Sequence, residues 1–453
     1  MRAFALCAAL ALGACALVGP DYQRPPSPLP SAYVEPAKAG ELAVPPAWWT
    51  LYGDATLDEL VRIGLERNAD LAQASARVEE AEARLREAHA TLLFPLVEGD
   101  ASASRARSIR NGTETTLGLG LATSFEIDLW GKLRRAERSV RAELLASRHA
   151  RDTVGLTLAA AIARTYFALR SLDSQLAASR EILAAAEESV GLARKRLEAG
   201  VASALDVYQA GSLRTAASAQ AKEIARQRAL AVHQLASLTG RLELALPEKD
   251  VASLPIPAAP PPGLPSQLLE RRPDVREAEA RLSAATERIG VARASQLPAL
   301  RLTGSVGFES GELDSLVASG SRIWSIGAGL LGPILDGGRY AARTAQAEAQ
   351  ARQAEAAYRR SVESAFREVS DALSNVRQAA DTEGDLQQRV TVAREALRLA
   401  RLRYDRGYSA YLEVLDAQRT LNESLLGFIR NRQAYLGFTV DLMNALGGGW
   451  TAG

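Results

Sequence analysis

The chain contains an internal repeat of roughly two hundred residues, far longer than a solenoid repeat of about 20–50 residues. Residues 193–207 match residues 400–414, and residues 70–85 match residues 274–289, so the two copies are offset by 207 and 204 residues. Each copy offers two long helical stretches and only one pair of short strands. Because two strands cannot close a sheet, a fold built from this unit needs partners for its strand edges.

Two long segments without proline predict the helices. Residues 131–198 and 338–405 are dominated by alanine, leucine, arginine and glutamate, which are strong helix formers. Each segment would be ~100 Å long as a helix, so these helices must pack side by side as coiled coils. Each repeat then turns back at a glycine, Gly200 in the first copy and Gly407 in the second. Glycine readily adopts the left-handed conformation that ends a helix, so these two residues mark the tips of two helical hairpins.

Four segments predict strands, at about 96–108 and 115–129 in the first repeat and about 299–309 and 322–332 in the second. In 115–129 six of the eight odd positions are apolar, whereas Gly118, Gly120, Ala122, Ser124, Glu126 and Asp128 at even positions are small or acidic, which is the period of a strand with two different faces. An Asn-Gly pair that begins at Asn111 joins the first two segments as a hairpin.

A sheet with one apolar and one polar face fits a barrel with lipid outside and water inside. A tilted strand of ~9–11 residues spans a bilayer, and open strand edges cannot lie in hydrocarbon. Other copies of the chain must therefore close the sheet. Eight strands from two copies leave an interior filled by side chains, so an open pore needs at least three copies. The alternative is a soluble sandwich, but the remaining sequence offers no layer that would cover the apolar face.

The first residues have the pattern of a secretory signal with a lipoprotein cleavage site. Arg2 provides the positive start, residues 3–12 form the apolar core, and small residues precede Cys15. We therefore predict that Cys15 carries a covalent lipid, as in lipoproteins that bear palmitate. It would be the only cysteine of the mature chain, which excludes a disulfide within one copy. Ala16 replaces the aspartate that retains lipoproteins at the inner membrane, so the outer membrane is expected. The alternative is an ordinary signal peptide with a chance cysteine.

Composition divides the sequence into six segments. They are a signal peptide at 1–14, a lipid-anchored proline-rich segment at 15–55, the first repeat at 56–246, a proline-rich linker at 247–265, the second repeat at 266–446 and a C-terminal tail at 447–453. Residues 19–46 contain eight of the 19 prolines, which is typical of an extended tether.

Several classes of function find no support in the residues. Lysine and arginine total 54 against 53 aspartates and glutamates, so no basic excess is available to bind nucleic acid. His89, His149 and His233 have no companion ligand at helical spacing, and we expect no metal site. A G-x-G-x-x-G pattern at 327–332 is followed at once by proline instead of a helix, which indicates a strand and not a nucleotide site. We expect neither an enzyme nor a cofactor, apart from the lipid on Cys15.

One stripe of residues after the second hairpin tip could narrow a pore. Leu412, Asp416 and Arg419 lie at i, i+4 and i+7 and share a helix face. In a symmetric oligomer the stripe would form stacked rings, and a ring of acids selects cations. The alternative is an exposed ion pair between Asp416 and Arg419 with little energetic value.

Four motifs together resemble the TolC-like outer membrane factors, and in particular the lipoprotein branch of the drug-efflux channels. The motifs are VGPDY at 18–22, EIDLWGK at 126–132, its counterpart DGGR at 336–339 and LEVLDAQ at 412–418. The resemblance covers essentially the whole mature chain and includes the duplication. It implies an α+β membrane protein that forms a homotrimer, with a twelve-stranded outer-membrane β-barrel continued by a long periplasmic α-helical barrel.

The resemblance also implies a function and partners. The chain would be the passive exit duct of a tripartite efflux system, with outer membrane lipid, a periplasmic adaptor protein and an inner-membrane RND-type pump as partners. The adaptor would dock at the hairpin tips near Gly200 and Gly407. Two alternatives remain: a type I secretion duct of the same fold, and a coiled-coil adaptor without a pore. The strand pattern favours a channel over the adaptor.

The resemblance further implies a closed constriction at the periplasmic end, formed by Leu412, Glu413 and Asp416. The family's best-known member has a basic residue shortly after the tip glycine, where this chain has serine and alanine. The basic partner of the gate must then come from elsewhere, and the candidates are Arg403, Arg406 and Arg419.

Overall fold

The computed structural model describes residues 17–26, 29–33, 44–109, 112–201, 203–260 and 265–449. The first repeat consists of α1 (Ala55–Arg67), α2 (Ala69–Leu93), β1 (Leu96–Ser108), β2 (Gly112–Ile127), α3 (Lys132–Glu198) and α4 (Ala204–Thr239). The second consists of α5 (Leu268–Arg271), α6 (Pro273–Ala294), β3 (Ala299–Ser310), β4 (Arg322–Leu331), α7 (Arg339–Asp405) and α8 (Tyr411–Ala445). The same succession of a helix, two strands and two long helices occurs twice.

The two longest helices begin in the same way. Helices α3 and α7 have 67 residues each, as the proline-free segments predict. Asp128 accepts hydrogen bonds from the amides of Leu133 and Arg134, both at 3.0 Å, at the start of α3. Asp336 accepts one from the amide of Tyr340 at 2.8 Å at the start of α7. A carboxylate in this position accepts hydrogen bonds from free amides and interacts favourably with the positive end of the helix dipole, so each aspartate fixes where its helix begins.

No helix in the described part of the chain is both long and apolar enough to cross a membrane.

The four strands form one antiparallel sheet in the order β1-β2-β3-β4. Strand β2 is displaced from its predicted range of 115–129. It begins at Gly112, which has a φ of 71°, and its ladder with β1 continues to the pair of Ser108 with Gly112. It ends at Ile127 because Asp128 already caps the next helix.

The described residues pack as two compact units that cut across the repeats. Unit 1 takes the described residues of 1–27, 75–150 and 276–361, and unit 2 those of 28–74, 151–275 and 362–453. Unit 1 therefore contains the sheet, and unit 2 contains both helical turns. Each unit includes parts of both repeats, so the repeated unit of sequence is not a unit of packing.

The core of unit 2 is aromatic. Trp48, Tyr52 and Phe167 are buried, with the rings of Tyr52 and Phe167 4.9 Å apart. The hydroxyl groups of Tyr52 and Thr439 are hydrogen-bonded at 2.8 Å, which ties the segment before α1 to α8. A buried tyrosine hydroxyl needs such a partner to offset its desolvation.

The linker between the repeats is fastened to this core through Asp54. The Asp54 carboxylate accepts hydrogen bonds from Tyr166 Oη and from Lys249 Nζ in the linker, both at 2.7 Å. Burial alone would raise the pKa of Asp54, but these bonds and one from the Leu57 amide outweigh it and lower the pKa. The linker is thus held by a charged contact with the N-cap residue of α1.

Candidate functional site

The segment that follows the predicted lipid site is fixed to unit 1. Cys15 itself lies outside the described residues. The amide of Val18 donates to the carbonyl of Trp130 at 3.1 Å, close to the end of β2. Gly19 has a φ of 104° and lies so close to Gly290 of α6 that a Cβ atom on it would be 2.5 Å from the Gly290 Cα. Both the conformation and the space therefore require glycine in the VGPDY motif.

A buried arginine holds this segment in place. The side chain of Arg135 is 1% exposed, and its guanidinium donates to the carbonyls of Gly19 at 3.2 Å and Pro20 at 3.1 Å. It also pairs with Glu287 at 2.9 Å and with Asp21 at 3.0 Å. A buried cation is stable only with such partners, so Arg135 joins the N-terminal segment to α3 and α6. No local pattern marks Arg135 for this role, since it is one of many arginines in a helical segment.

Two further side chains of the segment converge on α6. Arg24 binds the Glu279 carboxylate through two hydrogen bonds of 2.7 and 2.9 Å, and the Tyr22 hydroxyl donates to the same group at 3.1 Å. Burial and the neighbouring Glu279 raise the pKa of Tyr22, so it stays a donor at neutral pH. Residues 18–24 are thus held against α3 and α6 in unit 1.

The turn of the first repeat is capped at both sides. Gly200 has a φ of 72°, and the amide of Val201 reaches back to the carbonyl of Arg196 at 2.9 Å, which ends α3. Helix α4 then begins with a capping box in which Ser203 and Asp206 exchange hydrogen bonds with backbone amides. Local caps therefore end α3 and start α4 at this turn.

The turn of the second repeat lacks one of these caps. Gly407 has a φ of 78°, and the amide of Tyr408 donates to the carbonyl of Arg403 at 2.9 Å, which ends α7. The residue before α8 is Ala410, which makes no side-chain cap. A missing N-cap weakens a helix start by about 1 kcal/mol. The start of α8 therefore depends more on tertiary contacts than the start of α4.

Those contacts are aromatic and lie on the inner side of the turn. Tyr411 is buried and packs on Tyr404, with ring centroids 5.2 Å apart. Arg196 of the first hairpin lies over the Tyr404 ring at 4.3 Å and pairs with Asp405 at 3.5 Å. Burial raises the pKa of Tyr411. The two hairpin tips are thus joined at their inner side within unit 2.

The predicted gate residues lie on the other, open side of α8. Leu412, Glu413, Asp416 and Arg419 line the same shallow depression, and Leu412 is 64% exposed. Arg403 Nε lies 3.0 Å from Glu413 Oε1, and Arg419 Nη2 lies 2.8 Å from Asp416 Oδ1. Of the three candidate basic partners, two therefore contact the predicted gate acids. The structure brings the predicted residues together on one face.

The two faces of the sheet differ in chemistry. Cross-strand pairing places the odd residues of β1 and β2 on one face with the even residues of β3 and β4. The large apolar residues of this face are Val97, Leu117, Leu119, Leu121, Phe125, Ile127, Leu300, Leu302, Val306, Phe308, Trp324, Ile326 and Leu330. Trp324 is 72% exposed and Ile326 is 83% exposed. Nothing in the described chain covers this apolar face, which fits contact with lipid.

The opposite face is polar and mainly acidic. Its charged strand residues are Glu98, Asp100, Glu114, Glu126, Glu309 and Arg301. Arg301 lies 3.7 Å from Glu126, and the hydroxyls of Ser305 and Ser325 are hydrogen-bonded at 2.7 Å across β3 and β4. Five acids against one arginine make this face strongly negative. The glycines of the 327–332 motif lie in and just after β4, so that motif forms a strand as predicted.

The two repeats also match a known family. A sequence model described as "Outer membrane efflux protein" matches residues 60–241 and 264–448, which is more than half of the chain. The chain belongs to this family. The two matched segments of the outer membrane efflux protein overlap the two repeats found in the sequence.

Curated relatives and solved structures agree with this assignment. OprJ, an outer membrane protein of Pseudomonas aeruginosa, is 35% identical over 99% of this chain and 96% of its own length. CusC of Escherichia coli, named as a cation efflux system protein, is 34% identical over 98% of both chains. The outer-membrane channel OprN is similar with a TM-score of 0.89 and 30% identity, over 96% of this chain and 100% of OprN. The open state of the MtrE outer membrane channel of Neisseria gonorrhoeae gives a TM-score of 0.88 and 30% identity, over 96% and 98%.

These likenesses confirm three predictions for this efflux protein. Its fold is that of the TolC-like channels, an internally duplicated chain with four barrel strands and long helices that continue the barrel. Its function is that of an outer membrane efflux channel, and its location is the outer membrane. A coiled-coil adaptor without a pore is therefore the wrong alternative. The relatives are efflux channels, and the roles of individual residues remain predictions.

Proposed function

We propose that three copies of the chain form a passive exit duct that receives substrates from an inner-membrane RND-type pump through a periplasmic adaptor. The observation that carries the proposal is the open four-stranded sheet, whose outer strands β1 and β4 have free edges in the described chain and whose one face is apolar. Such edges cannot remain unpaired in lipid.

The topology of the sheet fits closure by further copies. Successive strands are antiparallel, so β1 and β4 run in opposite directions. Strand β4 of one copy can therefore pair antiparallel with β1 of the next in a closed ring. Three copies give twelve strands, and a barrel of this size leaves an aqueous interior where eight strands would not.

The polar face would line the water-filled lumen. Its five acids and one arginine per chain would repeat three times around the pore. Rings of carboxylates attract cations and repel anions. The open duct should therefore conduct cations in preference to anions.

The open side of α8 would form the periplasmic gate. Around a threefold axis, Leu412 and Asp416 of three copies would face one another, with Glu413 and Arg419 beside them. Acids held close together repel unless arginine or a cation pairs with them. The contacts with Arg403 and Arg419 would supply that pairing in a closed gate.

The two helical turns would be the docking site of the adaptor. Both tips expose apolar and aromatic side chains next to their glycines, including Val201 and Tyr208 in the first repeat and Tyr408 in the second. Exposed apolar groups at a hairpin end favour contact with a partner protein. The neighbouring Gly200 and Gly407 have the positive φ that the two turns require.

The lipid on Cys15 would anchor the N-terminus to the membrane. Leu17, only two residues away, lies against Gly131 at the end of the strand region. Acyl chains attached at Cys15 would therefore enter the membrane beside the barrel.

The test is the mass of the purified, detergent-extracted protein. We expect a single species of three chains that resists mild heating, and single-channel conductance after insertion in planar bilayers. A stable monomer with its full strand content would contradict the proposal, because its sheet edges would have to be satisfied without a second copy.

A further inference from the structure

Three arginines occupy the otherwise apolar face of the sheet. Arg105 and Arg107 lie on β1, on the same face as Leu117 and Leu119. Arg322 is the first residue of β4 and lies opposite Phe308 of β3 on this face. All three side chains are exposed. Every acid of the four strands as described lies on the opposite face. The sheet thus separates its charges, with cations alone on the face that we assign to lipid.

The three arginines also lie at one end of the sheet. Strand β1 begins next to α2 and ends at the hairpin loop, and Arg105 and Arg107 are in its last part. Arg322 follows the loop between β3 and β4, at the same end. The helices leave the sheet from the other end, so this end faces the cell exterior in the proposed duct.

The length of β1 places its arginines at and beyond the edge of the hydrocarbon. The strand has 13 residues, whereas ~9–11 suffice to span a bilayer. The residues of β1 on this face are small or apolar from Val97 to Ala103. Arg105 is the tenth residue of the strand and Arg107 the twelfth, so both emerge near the level of the lipid headgroups, where a charge is tolerated.

We propose that Arg105 and Arg107, with Arg322 of the neighbouring copy, bind the phosphate groups of anionic glycolipid in the outer leaflet. Alternate residues of a strand are ~7 Å apart on one face, so two guanidinium groups can reach adjacent phosphates. Arginine binds phosphate in a bidentate manner. Thr115 and Thr113 pair with the two arginines across β1 and β2 and offer further hydroxyl donors. The inference rests on the proposed duct, since the orientation and the approach of Arg322 both depend on it.

A competing role is pairing between copies. The loop before β4 carries Glu312 and Asp314, which a neighbouring copy could present to these arginines. Such ion pairs would stabilise the trimer without lipid, whereas phosphate binding stabilises it only when phosphorylated lipid is present. The two roles therefore differ in a measurable way.

The experiment is thermal dissociation of the purified trimer in detergent, after its mass has been established. Bisphosphorylated lipid A should raise the dissociation temperature by several degrees. The same lipid without phosphates, and inorganic phosphate at equal concentration, should not. An equal rise with inorganic phosphate would overturn the assignment to lipid, and no rise with phosphorylated lipid would overturn the site itself. A wild-type protein that is not trimeric would instead contradict the proposed duct.

The variants locate the site. Arg105→Gln/Arg107→Gln should lose most of the rise, and Arg105→Lys/Arg107→Lys should keep part of it, since lysine binds phosphate as a point charge. The matched control is Arg352→Gln/Arg360→Gln, two exposed arginines of α7, and it should behave as wild type. If lipid A raises the dissociation temperature of the glutamine variant as much as that of wild type, the arginines do not bind the lipid. If the glutamine variant dissociates at a lower temperature than wild type even without lipid, the arginines pair with a neighbouring copy instead. If that variant fails to assemble, the lysine variant and the dephosphorylated lipid still decide the question.

Discussion

Arg403 and Glu413 form an ion pair that joins α7 to α8 across the turn at Gly407, with Nε and Oε1 3.0 Å apart. Both side chains are about half exposed, at 56% and 44%. The same turn lacks an N-cap, since Ala410 offers no side-chain acceptor. Exposed ion pairs contribute only ~0–1 kcal/mol, so this turn can rearrange at small cost while the aromatic contacts of Tyr411 remain. That combination suits an element that must open and close.

The first prediction is that Arg403→Ala favours the open channel. Loss of the pair leaves Glu413 free and releases α8 from α7, so the mean conductance in planar bilayers should rise. The melting temperature should stay close to that of wild type, because the pair is exposed. The exchange Arg403→Glu/Glu413→Arg should restore closure. An exchanged variant as open as Arg403→Ala would show that the pair itself does not hold the gate.

The sequence predicts those parts of the fold that depend on local periodicity. Long helices and two-faced strands repeat every 3.6 or two residues, and a single chain records these periods directly. The turn glycines Gly200 and Gly407 are also visible, because only glycine fits their positive φ without strain. The gate stripe follows from helical spacing in the same way.

The contacts that no local pattern encodes could not be predicted. Arg135 meets Glu287 over 152 positions of sequence, and Lys249 meets Asp54 over 195. Each of these residues resembles its exposed neighbours in the sequence. Only the packing of distant segments distinguishes a buried arginine from a solvated one. For the same reason the two compact units were not foreseen from the repeats.

The second prediction concerns Arg135. Replacement by methionine should destabilise unit 1 by roughly 3–5 kcal/mol, because Glu287 would be left buried without its partner. The double variant Arg135→Met/Glu287→Leu should recover part of the loss. Thermal unfolding measures both, and limited proteolysis should cut the released N-terminal segment.

The control for this prediction is Arg138→Met. Arg138 is an exposed arginine of the same helix, so its loss should change the melting temperature very little. Equal effects of the two methionine variants would mean that the burial of Arg135 has no energetic consequence.

The third prediction is a loss of stability in acid that depends on Asp54. The pKa of Asp54 is lower in the folded protein than its ordinary value of 3.8, so the carboxylate stabilises the fold above that pH. The stabilisation is lost as the pH falls through the folded-state value. Melting temperatures measured from neutral to acidic pH should therefore fall less steeply for Asp54→Asn than for wild type. Asp152→Asn, which removes an exposed carboxylate, should keep the wild-type slope.

The fourth prediction is that Cys15 carries the lipid. Radiolabelled fatty acid should enter the wild-type protein and not Cys15→Ser, because no other cysteine remains after cleavage of the signal peptide. The N-terminal segment should still bind Arg135, since those contacts come from later residues. Labelling that survives the substitution would place the lipid elsewhere.

The last prediction tests the constriction itself. Leu412→Ala/Asp416→Ala removes bulk and charge from the open side of α8, where both residues line one depression. The conductance should rise, and the preference for cations should weaken because a ring of acids is lost. Trimer stability should remain close to wild type, since the strands in unit 1 are unchanged and the lost pair with Arg419 is exposed. Leu205→Ala/Gln209→Ala at the equivalent positions of the first repeat is the control and should leave conductance unchanged. If the two double variants conduct alike, the narrowest point of the duct lies away from α8.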